Sequence, residues 1–508
     1  MAETFNICEW LLDRNVREGF GDDTAIRCRG ESVTYQDLLE RVSGVAAGLR
    51  ALGLRPEERV AMIMLDSVEF TAVFLGALRV GAIPVPLNPL LPVRDLAVII
   101  ADARARFAVI SSERAAVIGE LRQSVPEIAE VVMTEGGQAE ESSTLPWEKV
   151  FLGPSGETPY ATGEDSPAFW LCTSGTTGRP KLAMHRHADL RITAETYARE
   201  VLSISRDDRF YSVGPMFHAY GLGNSLAFPF SVGATAILEP TRPPTPQLVA
   251  DTTGSERPTL FFGLPTFFAA LAAAELPSDT FASVRFAVSA AEALPSEIFT
   301  RFREAYGIEI LDGIGSTEMM HIFISNRPSE IRPGSSGTVV GGYEVRLLDD
   351  GGSEVGSEEP GTLFVRGESA ALGYWCRSTE TRRTFRGEWV RTGDLYMRSD
   401  DGYYTHLGRS DDMLRVGGEW VSPVEVEAAL VEHPEVLEAA VVGQRDDRGL
   451  EVPVAYVIPR PGATPAREEL IEFCRSRLAG FKRPRQIVLV DDLPKTATGK
   501  IQRYMLRG

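Results

Sequence analysis

Arg59-Val60-Ala61-Met62-Ile63-Met64-Leu65, an apolar helical pattern over 67–80 and then Ala82-Ile83-Pro84-Val85 decide the fold class. An apolar run of this length without polar alternation is that of a strand covered on both faces. Strand, helix and strand in close succession make a βαβ unit, which implies a mostly parallel sheet flanked by helices. On the N-terminal side, Thr34 and Asp37 form a capping-box-like start, and Leu38, Leu39, Val42, Val45, Ala46, Leu49 and Leu52 recur at helical spacing until Gly53. On the C-terminal side a similar rhythm runs from about 106 to 311. From about Gly337 the texture changes to short strand-like runs at 338–340, 344–348, 362–366 and 403–407, parted by turns such as Asp349-Asp350-Gly351-Gly352 and Asp401-Gly402. These runs predict a small antiparallel sheet or barrel closing the large unit. The last hundred residues read as a small α+β domain. There Ser422-Pro423-Val424-Glu425 supplies a helix cap, strands lie near 437–442 and 453–458, and Thr464-Pro465 opens a helix. The expected organisation is α/β, with a large N-terminal domain over 1–410 and a small C-terminal one over 411–508.

Composition narrows the function. Hydrophobic residues make up 44 % and charged ones 24 % of the 508, an ordinary globular balance. Lys plus Arg number 52 against 71 Asp plus Glu, a net charge of −19, which argues against a non-specific nucleic-acid or anionic-membrane binder. The five cysteines are scattered without a C-x-x-C pair, so neither a disulfide framework nor a zinc site is suggested. The opening Met1-Ala2-Glu3-Thr4-Phe5 lacks a signal-peptide pattern, and the apolar stretch 70–87 is broken by Arg79, Gly81, Pro84 and Pro86. A soluble, cytoplasmic protein is expected. Residues 467–508 reverse the overall sign, with ten Lys or Arg against five Asp or Glu. They are either a solvated surface or a tail that approaches a polyanionic ligand.

The densest chemical signal is Thr173-Ser174-Gly175-Thr176-Thr177-Gly178-Arg179-Pro180-Lys181, set between strand patterns at 169–172 and 182–185. Glycines let a backbone approach a phosphate closely, N–H and hydroxyl groups donate to its oxygens, and Lys181 adds a point charge. On composition alone the stretch reads equally well as an ordinary Gly-rich hairpin. It is not a Walker A loop, since the spacing differs and no helix opens directly after the lysine.

Together with Leu171 and Cys172, this stretch resembles the AMP-binding signature of the adenylate-forming superfamily of acyl-CoA synthetases, peptide-synthetase adenylation domains and luciferases. Four further blocks agree in order: Gly214-Pro215-Met216-Phe217-His218; Gly313-Ile314-Gly315-Ser316-Thr317-Glu318; Arg391-Thr392-Gly393-Asp394 with Gly408-Arg409-Ser410-Asp411-Asp412; and Pro494-Lys495-Thr496-Ala497-Thr498-Gly499-Lys500. The resemblance covers nearly the whole chain. It implies a two-step reaction: a carboxylate attacks the α-phosphate of Mg·ATP, releasing pyrophosphate, and a thiol then attacks the acyl-adenylate. The resemblance makes 173–181 (Thr173, Ser174, Gly175, Thr176, Thr177, Gly178, Lys181) the phosphate cradle, Thr317 the α-phosphate partner and Glu318 the Mg²⁺ ligand. Asp394 and Arg409 would meet the ribose, and Asp312 and Gly313 also border the nucleotide. Lys500 would be the catalytic lysine, bridging the carboxylate and the α-phosphate. Ser289-Ala290-Ala291-Glu292 resembles the adenine-binding strand end, with Ala291 where the family usually has glycine. Asp411 matches the hinge position, and Arg415 with Gly417 and Gly418 matches the loop that reaches the thiol tunnel after the small domain turns.

The acid is addressed by 217–224, which lacks the aspartate that peptide-synthetase domains use for an amino-acid ammonium. Small residues around Tyr220 and Gly313-Ile314-Gly315 suggest a flat, narrow slot suited to a ring. The runs 219–224, 263–266 and 313–323 most resemble benzoate-CoA ligases. By that resemblance His218, Ala219, Tyr220, Gly221, Ile314, Gly315 and His321 line the aryl pocket, with His218 also a catalytic-site candidate. A histidine replaces the aromatic residue often found at 218, so benzoate and substituted benzoates such as anthranilate both stay open. The implied partners are an aryl acid, ATP and coenzyme A, with Mg²⁺ as cofactor, in a monomer or homodimer. The alternative acceptor is a carrier-protein phosphopantetheine; a non-catalytic nucleotide-binding regulator is a remote third reading.

Overall fold

The computed structural model describes residues 4–134, 144–153, 156–174, 180–410, 412–416, 419–446, 450–495 and 501–507. The βαβ reading of 59–85 holds: strands Arg59–Ile63 and Ile83–Pro86 pair in parallel around the helix Val68–Arg79, which Ser67 caps through its hydroxyl. Phe107–Ile110, Glu130–Met133 and Thr144–Leu145 extend this sheet to five parallel strands. Thr34 and Asp37 make the expected reciprocal capping box at the helix Tyr35–Ala51.

A second, nine-stranded sheet carries the site. Its order is Thr338–Val339, Ile322–Ser325, Ile310–Gly315, Phe286–Ser289, Leu260–Gly263, Arg209–Ser212, Thr235–Leu238, Thr24–Cys28 and Glu31–Thr34. The six strands from Ile310–Gly315 to Thr24–Cys28 are parallel, and the remaining pairings are antiparallel. Thr338–Val339 departs from the sequence reading: it closes the edge of this large sheet instead of joining the small antiparallel one. That smaller sheet pairs Tyr343–Leu348, Pro360–Gly367 and Trp389–Arg398, with Phe385–Arg386 and Tyr404–Arg409 also on Trp389–Arg398.

The C-terminal portion holds the ribbon Leu414–Val416 with Glu419–Val421, the helix Pro423–Val431 and the sheet Val436–Arg445, Glu451–Pro459 and Gln486–Leu489. Ser422 accepts from the Glu425 N–H, as its pattern predicts. The next helix, Arg467–Arg475, starts two residues later than Thr464-Pro465 suggests, with Ala466 at its cap. The aromatic core of the large sheet, built on Phe261, Phe268, Phe281, Phe302 and Tyr306, continues into Leu414, Val426, Leu430 and Val441 of this portion. Among the described residues no helix is long and apolar enough to cross a membrane.

Candidate active site

Four of the sequence blocks follow neighbouring parallel strands. Gly214-Pro215 follows Arg209–Ser212, Leu264-Pro265 follows Leu260–Gly263, Ala290-Ala291-Glu292 follows Phe286–Ser289, and Ser316-Thr317-Glu318 follows Ile310–Gly315. Their carboxyl ends lie side by side in that sheet, which is where open α/β sheets bind ligands.

Thr317 and Glu318 stand in the one-turn helix Thr317–Met319, whose N-cap Ser316 accepts from the Met319 N–H. The Tyr374 hydroxyl donates to Glu318 Oε1 at 2.6 Å, and Lys181 Nζ lies 4.7 Å from the centre of the Tyr374 ring. Burial and the adjacent Glu318 charge push the Tyr374 phenol well above its ordinary pKa, so it stays a donor. Tyr374 reaches this point because segment 372–375 runs antiparallel beside Leu182–Met184 of the hairpin Pro167–Ser174/Pro180–Arg186, in an isolated bridge of Tyr374 to Ala183; in that hairpin Thr173 faces Lys181. Gly175, Thr176, Thr177 and Gly178, and the Ser174 side chain, lie outside the described residues. Sequence reasoning missed Tyr374, whose only local signal is the Gly373-Tyr374-Trp375 run.

Asp394 and Arg409 are cross-strand partners, with Arg409 Nη1 at 2.9 Å from Asp394 Oδ1 and 3.0 Å from the Thr392 carbonyl. Burial opposes the Asp394 charge, but Arg409 and His406 outweigh it and hold the carboxyl well below the usual carboxylate range. Gly393 takes φ +79°, and a Cβ there would come within 2.9 Å of Arg409 Nη2, so glycine suits the point where the two side chains meet. Asp312 behaves oppositely. It is 6 % exposed, and burial pushes its carboxyl well above the usual range. Ser289, its register partner, and the Leu294 and Gly313 N–H groups face this carboxyl and partly offset its burial. Ala291 adopts φ +77°, the left-handed conformation that suits the glycine it replaces.

Among the residues expected to line the aryl pocket, Tyr220 donates its hydroxyl to the Val288 carbonyl at 3.0 Å and the Gly263 carbonyl at 3.2 Å. These bonds pin the half-buried ring across two strand ends. Ala219 and Ile314 flank it, buried and half-buried. The glycines here bring backbones together: a Cβ on Gly221 would fall 2.2 Å from the Pro215 carbonyl oxygen, and one on Gly315 2.4 Å from that of His321. His218 caps the short helix Ala219–Leu222, its ring against Phe217. His321 is 2 % exposed, ringed by Tyr197, Tyr220 and Phe228. Its Nε2 faces two acceptors, Asn224 Oδ1 at 3.2 Å and the Tyr220 carbonyl at 3.4 Å, so it is the protonated nitrogen. Burial pushes its pKa down to about 3, which makes it neutral.

In the C-terminal portion, Arg503 Nη2 bonds Glu427 Oε2 at 2.7 Å, and the Gln502 N–H bonds the Pro494 carbonyl at 2.7 Å. These bonds fix both flanks of 496–500. Burial opposes the Arg503 charge, yet Glu427, Asp412 and Glu292 raise its pKa, so this chain end lies within electrostatic reach of the 289–292 strand end. The Arg415 N–H bonds Glu451 Oε2 at 2.9 Å. Lys500, Asp411, Gly417 and Gly418 lie outside the described residues.

Residues 12–375 match the AMP-binding enzyme family and residues 425–500 its C-terminal domain. A benzoate–CoA ligase of Thauera aromatica is 43 % identical over 100 % of this chain and 96 % of its own. The crystal structure of an anthranilate CoA ligase in complex with anthranoyl-AMP superposes at TM-score 0.95 and 38 % identity, covering 100 % of this chain and 97 % of the other. A benzoate CoA ligase from Burkholderia xenovorans LB400 superposes at TM-score 0.92 and 43 % identity, covering 99 % of this chain and 100 % of the other. The chain belongs to the AMP-binding enzyme family, as the signature at 171–181 and the blocks after it imply.

Proposed function

We propose that this protein is an AMP-forming aryl-CoA ligase. It converts a benzoate-type acid and ATP to aryl-adenylate and pyrophosphate, then transfers the aryl group to coenzyme A. The observation that carries the reading is the side-by-side placement of 214–218, 263–266, 289–292 and 313–318 at one end of the parallel strands, with the pinned Tyr220 ring among them.

In the first step two anions meet, so donors aimed at the phosphates dominate the barrier. Thr173, Lys181 and the hairpin tip serve the departing phosphates, Thr317 the α-phosphate, and Lys500 the junction of carboxylate and phosphate. The Asp394 carboxylate, kept ionised beside Arg409, offers two oxygens to the ribose hydroxyls. The paired Asp312 and Ser289 offer polar groups to the edge of adenine beside Ala290, Ala291 and Glu292. No group of three or more His, Cys, Asp or Glu suited to a metal occurs among the described residues. A single carboxylate with substrate phosphates is how Mg²⁺ is commonly held, so Glu318, oriented by Tyr374, fits it. When bound, the ion offsets phosphate charge. Tyr220, Ala219, Ile314 and the buried His321 shape the ring site, with His218 at its entrance. Asp411 is the hinge about which the portion after it turns to bring Arg415 and the 417–418 loop to the thiol. The five free cysteines agree with a cytoplasmic location.

Pyrophosphate release across benzoates, aliphatic acids and amino acids tests the reading. Benzoates should lead, and an aliphatic or amino acid leading would overturn it. Thioester formation with free coenzyme A, without any carrier protein, should follow; its failure would point to carrier loading.

A further inference from the structure

The Thr317–Met319 turn is held by three separate donors on three successive carbonyls. The Ala371 N–H takes the Glu318 carbonyl at 2.8 Å, and Ser369 Oγ takes that of Met319 at 2.8 Å. The Thr317 carbonyl is met from the interior by His185 Nε2 at 2.9 Å. His185 is fully buried, stacked on Phe169 at 5.0 Å with the planes 10° apart. Its Nδ1 lies 2.9 Å from Asp189 Oδ2. Asp189, also fully buried, accepts from the Arg186 N–H at 3.0 Å and from Arg186 Nε at 3.1 Å. Arg186 in turn bonds Asp165 Oδ1 at 2.7 Å and the Glu368 carbonyl.

Both groups facing the ring are acceptors. A backbone carbonyl cannot donate, so the ring nitrogen that faces Thr317 is the donor of that bond. The stack on Phe169 and the grip of Asp189 leave the ring one orientation, with one N–H aimed at Thr317.

We infer that His185 is a positioning residue for adenylate formation: through the Thr317 carbonyl it fixes the turn that aims the Thr317 hydroxyl at the α-phosphate and the Glu318 carboxylate at the metal. The inference rests on the reaction proposed above. A small misplacement of such groups is expensive in rate because the reacting geometry is narrow. Asp189 and Arg186 act one layer further out, holding the ring.

The test separates half-reactions. His185→Phe keeps the aromatic stack and removes both ring nitrogens. His185→Gln returns one N–H near the position of Nε2. The Phe variant should lose on the order of 10–100-fold in kcat for pyrophosphate release. Its KM for the aryl acid should stay within about twofold, and its conversion of supplied aryl-adenylate and coenzyme A should stay within about threefold. The Gln variant should recover most of the loss. Equal damage to both half-reactions, no recovery in Gln, or no loss in Phe overturns the inference. Should the Phe variant not fold, the ¹⁵N-histidine spectrum of the unsubstituted protein still decides. A slowly exchanging N–H signal at His185 Nε2 supports the inference, and an unprotonated Nε2 sinks it. The reading itself fails separately, if the unsubstituted protein releases no pyrophosphate with any benzoate.

Discussion

At the scale of single residues, position 291 carries a cost the sequence could only hint at. Alanine stands there at φ +77°, where its Cβ crowds the following carbonyl at roughly 1–2 kcal/mol. Ala291→Gly removes that strain but returns roughly 0.4–1 kcal/mol of unfolded-chain entropy. The substitution should therefore raise stability by about 0.5–1 kcal/mol in chemical denaturation, and a loss of stability would refute the strain. His321 offers a second residue-scale test. Its pKa falls from 6.5 to about 3 on folding, so between these values the unfolded chain binds the extra proton. The stability it contributes is complete above pH 6.5 and is lost as pH falls toward 3. Relative to His321→Phe, the unsubstituted protein should lose about 1.4 kcal/mol per pH unit below 6.5. A difference that stays constant between pH 7 and 5 would show the histidine to be exposed. Glu318, Asp394 and Arg409 were legible because each sits inside a block of distinctive composition. Tyr374 and His185 were not, because what defines them lies elsewhere: Glu318 is 56 residues from Tyr374, and Thr317 is 132 from His185.

At the scale of elements, local rules worked where a side chain bonds its own turn. Thr34, Ser67 and Ser422 cap the helices their patterns announce. They failed where tertiary pairing decides. Thr464-Pro465 has the look of a helix start, yet the helix begins at Arg467, and Thr338–Val339 joins the large sheet because Ile322–Ser325 offers it an open edge. Segment 372–375 is the clearest case: it takes its place only by docking on the hairpin, through Met184 N–H to the Gly373 carbonyl and Trp375 N–H to the Leu182 carbonyl. That docking couples the hairpin to the Glu318 turn through one phenol. Tyr374→Phe keeps the ring under Lys181 and deletes the hydrogen bond to Glu318. Pyrophosphate release should fall on the order of tenfold, the Mg²⁺ concentration for half-maximal rate should rise, and thioester formation from supplied adenylate should persist. An unchanged Mg²⁺ dependence would mean that Tyr374 supports only the strand.

At the scale of the whole molecule, the alternating strands and helices of the first third and the capped helix at Ser422 conveyed both architectures, but not how they dock. The docking is partly apolar, through the shared core of Phe268, Phe302, Val426 and Leu430, and partly polar, through Arg301. Arg301 sits on the helix Ser296–Tyr306 of the large sheet, paired with Glu297 at 2.7 Å. Its Nη2 donates to the Val431 carbonyl at 2.9 Å, at the last residue of the helix Pro423–Val431. A cation at a helix C-terminus meets both an unsatisfied carbonyl and the negative end of the dipole. This contact belongs to the arrangement in which Arg503 feels the charge of Glu292. The turn about Asp411 proposed for the thiol step would break it. Arg301→Ala should therefore disfavour this arrangement by about 1 kcal/mol, the size of a partly exposed charge-assisted bond. The adenylation half-reaction should slow by roughly fivefold, while thioester formation from supplied aryl-adenylate and coenzyme A should hold or quicken. Lys500→Ala should split the half-reactions in the same sense and more deeply, since the role proposed for it is at the reacting atoms. Equal slowing of both steps by Arg301→Ala, measured by rapid quench of each, would assign Arg301 to packing alone.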